Sequence, residues 1–124
     1  MNKKFISIGA IIGAASVILG AFGAHALKEM VTPEQLITFE TGVRYQFYHA
    51  FALLAVGILY KEFPGKLLQW AGNFFIIGVI LFSGSLYVLS TMPQMKWVGP
   101  VTPLGGLCFI IGWILLAMAC IKKD

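Results

Sequence analysis

Four long apolar stretches make up most of the chain, and the charged residues occur mainly between them. The stretches cover residues 5–27, 43–60, 67–89 and 103–121. An α-helix needs about 20 mostly apolar residues to cross a bilayer, so each stretch has roughly the length of a membrane span. The pattern predicts an all-α membrane protein, in which a bundle of four transmembrane helices forms a single integral membrane domain over residues 1–124.

The segment between the first two stretches carries its own helix-start signal. Thr32 can cap a helix, Pro33 suits the first helical position, and Gln35 has the spacing of a capping box. We therefore expect a short interfacial helix between the first and second spans, at approximately residues 32–42.

The composition agrees with a lipid environment, since 59% of the residues are hydrophobic and 11% are charged. The formal net charge is +4, but the cations are scattered singly or in pairs, which excludes a nucleic-acid partner. Cys108 and Cys120 would lie about 18 Å apart on one helix, too far for a disulfide. We expect no metal site.

The positions of the basic residues predict the orientation in the membrane. Six border one side (Lys3, Lys4, Lys61, Lys66, Lys122 and Lys123), and three border the other (Lys28, Arg44 and Lys96). Basic residues accumulate on the cytoplasmic side of membrane proteins. We therefore expect a multi-pass protein of the cell membrane with both termini in the cytoplasm.

The first stretch has an alternative interpretation as a cleavable signal peptide. Lys3 and Lys4, an apolar run and the triplet Ala24-His25-Ala26 follow the order of such a signal. The run from Phe5 to Ala24 is 20 residues long, however. The apolar part of a signal peptide has about 7–15 residues, so we interpret the stretch as an uncleaved membrane helix.

Small residues form a stripe along this first helix. Gly9, Gly13, Ser16, Gly20 and Gly23 follow each other by steps of four and three, which places them on one side of an α-helix. In lipid, small residues allow two helix backbones to approach closely. Although glycine is common in membrane helices generally, we predict that this stripe is the packing face for a neighbouring span.

Polar residues at the start of the second span, together with His25, form a candidate site. The cluster comprises Glu40, Arg44, Tyr48, His49 and His25. Counted from Lys61, Arg44 lies about 25 Å and His49 about 18 Å into a core that is about 30 Å thick. Glu40 precedes Arg44 by four residues, the spacing of a helical ion pair unless Gly42 breaks the helix.

The depths of the polar side chains predict their partners. His49 comes out level with Ser16, and Trp113 level with Asn73, so we expect a contact in each pair. Two histidines could ligate a haem iron from both sides, with Arg44 near a propionate. His25 comes out about 13 Å away from His49 in depth, however, so this geometry is poor. We expect no cofactor.

Four segments distributed over all four stretches carry a resemblance. They are GAFGAHALK (20–28), FETGVRYQFYHAFALL (39–54), LFSGSLY (81–87) and TPLGGLCFIIGW (102–113). On these segments the chain resembles a family of small four-span membrane proteins of uncharacterised function, the bacterial YgdD-like and YwdK-like proteins with eukaryotic relatives of the transmembrane-protein-256 type. The resemblance implies an uncleaved first helix and a location in the cell membrane. It implies no established activity, cofactor or substrate.

Three classes of function remain open from the sequence. The favoured one is a non-enzymatic membrane protein that binds a lipid, a small molecule or a partner membrane protein, a second copy of the chain included, through the outer polar cluster. The second is a small oligomeric transporter or proton-coupled channel in which Arg44, Tyr48 and His49 line a path. The third is an enzyme or redox protein that binds haem or quinone, although the sequence offers no catalytic constellation.

Overall fold

The computed structural model describes residues 1–122, which are helical apart from short connections. The helices are α1 (Lys3–His25), α2 (Pro33–Leu59), α3 (Lys66–Gly78), α4 (Gly84–Thr91) and α5 (Val101–Ile121). A π-helical turn, Val79–Ser83, joins α3 to α4 without a break, so these two form one long helix. Short 3₁₀ turns, Leu27–Glu29 and Lys96–Val98, precede α2 and α5. The expectation of an all-α protein is confirmed.

Within residues 1–122, three helical segments are long and apolar enough to cross a membrane, namely Lys3–Glu29, Lys66–Thr91 and Lys96–Ile121. The remaining helix, α2, is the longest uninterrupted α-helix with 27 residues. It is more polar than the others, because its first half carries Glu34, Glu40 and Arg44.

The segment before the second apolar stretch does not form a separate interfacial helix. Its start signal is correct: the Thr32 side chain accepts a hydrogen bond from the Gln35 backbone N–H, and the Gln35 side chain accepts one from the Thr32 N–H. The helix that begins there continues through Gly42 to Leu59. A single glycine costs a helix only about 1 kcal/mol, so Gly42 does not end it.

Each helix packs mainly on its neighbours along the chain. α1 runs antiparallel to α2, and the Asn2 N–H donates to the Gly57 oxygen where α1 begins and α2 ends. α2 also packs on the joined α3–α4 helix, which in turn packs on α5. α2 therefore lies between α1 on one side and the α3–α4 helix and α5 on the other.

The small-residue stripe of α1 faces α2 along the whole contact. A Cβ atom on Gly9 would lie 3.0 Å from the Ala50 oxygen, and one on Gly23 would lie 3.2 Å from the Phe39 ring. Ser16, in the middle of the stripe, is buried. A glycine also allows a close approach where α5 crosses the π turn, because Gly105 touches the backbone of Phe82.

The main apolar core and most of the buried polar side chains lie toward different ends of the bundle. The apolar core lies toward the end at which α1 begins, and includes Phe5, Leu53, Val56, Leu68, Ala71 and Phe75. The buried polar side chains lie further along, and comprise Ser16, Gln46, His49, Ser83, Ser85 and Ser90. The half where α2 begins therefore holds most of the buried polar side chains from which a site can be built.

Candidate functional site

The buried side of α2 follows the helical period. Phe39, Gly42, Gln46, His49 and Leu53 succeed one another by three or four positions, and all five are buried. This spacing keeps them on one face of the helix. That face points into the bundle.

The polar cluster predicted from the sequence is divided between two sides of α2. Glu40, Arg44 and Tyr48 are spaced by four, lie on the outward side, and are exposed. His49 is buried on the inward side, and His25 is exposed at the end of α1. The structure thus brings Glu40, Arg44 and Tyr48 together and separates them from His49.

The His49 imidazole is enclosed and uses both of its nitrogens. Nδ1 lies 2.7 Å from the Tyr45 carbonyl oxygen, which can only accept, so Nδ1 carries the proton. Nε2 accepts a hydrogen bond of 3.0 Å from the Trp113 indole N–H. The Phe109 ring stacks on the imidazole with centroids 3.6 Å apart. His49 is therefore a neutral side chain without a free nitrogen for an iron or a transferred proton.

The hydrogen bonds of these side chains differ from the two pairings inferred from depth. The Ser16 hydroxyl donates to the Ile12 oxygen of its own helix at 2.8 Å, and His49 pairs with Trp113 instead. Trp113 is thereby not the partner of Asn73. Counting depth from the flanking lysines assumes that all helices start at one level, and an error of about one turn, 5.4 Å, is enough to exchange partners.

A second network of hydrogen bonds connects three helices in the buried polar half. The Gln46 amide donates to the Ile12 oxygen of α1 at 3.2 Å, and its oxygen accepts from the Tyr87 hydroxyl of α4. The Ser83 hydroxyl donates to the Gly42 oxygen of α2 at 2.7 Å. Such bonds stabilise membrane bundles by about 0.6 kcal/mol each on average. The network joins α1, α2 and α4.

The π turn places Tyr87 on the correct side of its helix. Phe75 contacts His49 of α2, and Tyr87 bonds Gln46 of α2, so both side chains must face the same way. Twelve residues of regular α-helix would turn Tyr87 about 120° away from Phe75. A π turn contains one extra residue, which removes about 100° of that rotation.

A groove between α1 and α2 lies beside the outward polar side chains. It encloses about 200 Å³ and is lined by Ser16, Val17, Val43, Arg44 and Phe47. Arg44 is the one charged residue in this lining. Gly20 of α1 faces Val43, so Arg44 lies about 24 Å along the bundle from the Lys4 end of α1, compared with about 30 Å for the thickness of a hydrocarbon core.

Residues that carry the buried network were not singled out from the sequence. The spacing of Gly42, Gln46 and His49 ahead of Leu53 is a helical signal that could have revealed Gln46 as a core residue. No comparable signal existed for Tyr87, because the π turn changes the phase of its helix. Within residues 1–122, no group of three His, Cys, Asp or Glu side chains is placed to hold a metal ion.

Comparisons with known proteins agree with the resemblance found in the sequence. The family model described as "Protein of unknown function (DUF423)" matches residues 19–106. The UPF0382 membrane protein YwdK of Bacillus subtilis (strain 168) is 44% identical over 121 residues, which is 97% of this chain and 98% of that protein. The UPF0382 inner membrane protein YgdD of Escherichia coli (strain K12) is 36% identical over 123 residues, or 98% and 93% of the two chains. No solved structure matches the chain.

Proposed function

The chain belongs to this family of membrane proteins of unknown function, DUF423 or UPF0382, and we propose that it is a non-enzymatic four-span protein that holds a phospholipid in the groove between α1 and α2. One observation carries the proposal: Arg44 borders an otherwise uncharged, almost entirely apolar groove near the outer edge of the hydrocarbon core, from which its guanidinium can reach lipid headgroups.

The proposal includes α2 as the fourth span. Its 27 residues correspond to about 40 Å of helix, more than the roughly 30 Å of a hydrocarbon core. The excess length allows Glu34 and the first turn to lie outside the core, while the apolar second half lies within it. With an even number of spans the described N-terminus and the end of α5 share one side, which we assign to the cytoplasm because of its lysines.

Arg44 is free to take an anionic partner, because within residues 1–122 no carboxylate lies within salt-bridge distance of it. Charged residues at membrane depth are costly and ordinarily face a partner or snorkel to the interface. Both Glu40 and Arg44 are exposed, and within the described residues 1–122 no salt bridge of 4.0 Å or less joins them. A guanidinium binds phosphate through two parallel hydrogen bonds. A phospholipid supplies this phosphate at the membrane surface.

The rest of the groove suits an acyl chain. Val17, Val43 and Phe47 present apolar surface beside Arg44, and Phe51, which is exposed, continues it one turn deeper into the membrane. A phospholipid with its phosphate on Arg44 would lay one chain against these side chains. Since α1 supplies one wall of the groove, the proposal requires the first helix to be retained.

The transporter alternative gains no support from the geometry. His49 points into the bundle with both nitrogens bonded, whereas Arg44 and Tyr48 lie on the outward side of α2. The three residues do not line a common path. The haem alternative loses His49 as a ligand for the same reason.

Native mass spectrometry of the full chain, purified in a mild detergent, tests the proposal. We expect about one phospholipid per wild-type chain, and strongly reduced retention in Arg44→Gln and in Val17→Trp, which fills the groove. Ile18→Trp is the matched control, because Ile18 is equally exposed but does not line the groove. Equal retention in all four proteins would overturn the proposal.

A further inference from the structure

We propose that the phospholipid held in this groove is a zwitterionic aminophospholipid, whose phosphate binds Arg44 and whose primary ammonium group binds Glu40. This inference rests on the proposed function and adds the class of headgroup that the site selects.

The positions of the two charges along α2 carry the inference. Glu40 and Arg44 lie one turn apart on an unbroken helix, with Cβ atoms about 5–6 Å apart. Glu40 is nearer the start of α2 and thus nearer the membrane surface, by about 6 Å of helix. Moving outward from the bilayer centre, α2 therefore presents apolar groove, cation and anion in that order.

An aminophospholipid presents the complementary order. Its acyl chain is deepest, its phosphate follows, and its ammonium group is outermost. A lipid seated in the groove would thus place phosphate opposite Arg44 and ammonium opposite Glu40, with each charge matched. Complementary charges arranged along one axis contribute to specificity more than to affinity.

Other common headgroups satisfy only part of this arrangement. A choline group has no N–H to donate to the Glu40 carboxylate. Its cation could bind an aromatic face, but Tyr45 and Tyr48 lie deeper on α2 than Glu40. A glycerol headgroup leaves the lipid with a net negative charge and places no cation opposite Glu40.

Competition between lipids tests the headgroup preference. The delipidated full chain in detergent is mixed with equimolar phosphatidylethanolamine, phosphatidylcholine and phosphatidylglycerol of identical acyl chains, and bound lipids are counted by native mass spectrometry. We expect phosphatidylethanolamine to be favoured over each competitor by about tenfold, the effect of one charge-assisted hydrogen bond. Glu40→Gln should abolish this preference while retaining total lipid.

Glu34→Gln is the matched control, because it removes the same charge from an exposed residue on a different side of α2 from Glu40 and the groove. It should bind lipids in wild-type proportions. Arg44→Gln should lose all three lipids, which tests the proposed function separately. If Glu40→Gln keeps the wild-type proportions, or the wild type favours phosphatidylglycerol or phosphatidylcholine, the headgroup inference is wrong even though Arg44→Gln still loses lipid.

Discussion

The hydrogen bond between Trp113 and His49 offers a quantitative test of the buried polar core. Trp113→Phe removes the indole N–H and leaves His49 Nε2 without its donor, in a ring that is only 4% exposed. Little apolar packing changes, because Trp113 is half exposed and phenylalanine can keep the contact with Phe75, whose ring centroid lies 5.0 Å away. The effect should therefore report the hydrogen bond.

Two terms set the expected magnitude. An interhelical hydrogen bond in a membrane protein contributes about 0.6 kcal/mol on average and up to about 1.7. An acceptor left unsatisfied in a buried site costs about 1–3 kcal/mol. We expect Trp113→Phe to lower the free energy of unfolding by about 1–2 kcal/mol. The value lies below the upper limit because Trp113 is half exposed, so neighbouring side chains can partly fill the space that the indole leaves.

Reversible unfolding in mixed micelles, followed by far-UV circular dichroism, measures this change. Trp70→Phe is the matched control, since Trp70 is also half exposed and packs on a phenylalanine, and the structure shows no hydrogen bond from it among residues 1–122. The double variant His49→Leu/Trp113→Phe should cost less than the sum of the single variants, because it removes donor and acceptor together. A Trp113→Phe effect no larger than that of Trp70→Phe, with additive single effects, would refute the assignment.

Three further predictions concern packing, helix phase and topology. Gly9→Leu should lower the free energy of unfolding by about 1–3 kcal/mol, because the new side chain meets a backbone oxygen of α2. Gly84→Leu should change it little, because nothing lies within 4 Å of a Cβ atom at that position. Equal effects of the two variants would contradict the close approach of α1 and α2. Deleting Ile80, a residue of the π turn, should leave a stable bundle with α3 and α4 in phase. Inserting alanine after Ile80 should destabilise the bundle. If unfolding shows the deletion variant to be less stable than the insertion variant, the π turn does not contain an extra residue. With both native cysteines replaced by alanine, Gln94→Cys should react with an impermeant maleimide added outside intact cells. Lys61→Cys should react only after lysis. Labelling of Lys61→Cys in intact cells would reverse the proposed orientation.

The location of the site illustrates why the exposed polar residues of α2 need structural context. From the sequence, the residues between Glu40 and His49 form one polar group. In the bundle, the 3.6-residue period sends His49 to the inside and leaves Glu40, Arg44 and Tyr48 outside. His49 thus becomes part of the core, whereas the three exposed residues are available to lipid or to a partner.

The sequence by itself determined the features that depend on local chemistry. Apolar length predicted helices, and the capping signal at Thr32 located the start of α2. The 4-3-4-3 spacing from Gly9 to Gly23 identified the side of α1 that lies against α2. Each of these is decided by residues within a few turns of one another, so it can be read along the chain.

Only the tertiary structure decided how the helices are aligned against one another. Sliding a helix by one turn, about 5.4 Å, leaves its own hydrogen bonds intact but changes every partner across the interface. Packing between helices therefore selected Trp113 for His49, and the π turn aligned Tyr87 with Gln46. These contacts join residues 64 and 41 positions apart, and no local signal encodes the relative position of segments so distant in the chain.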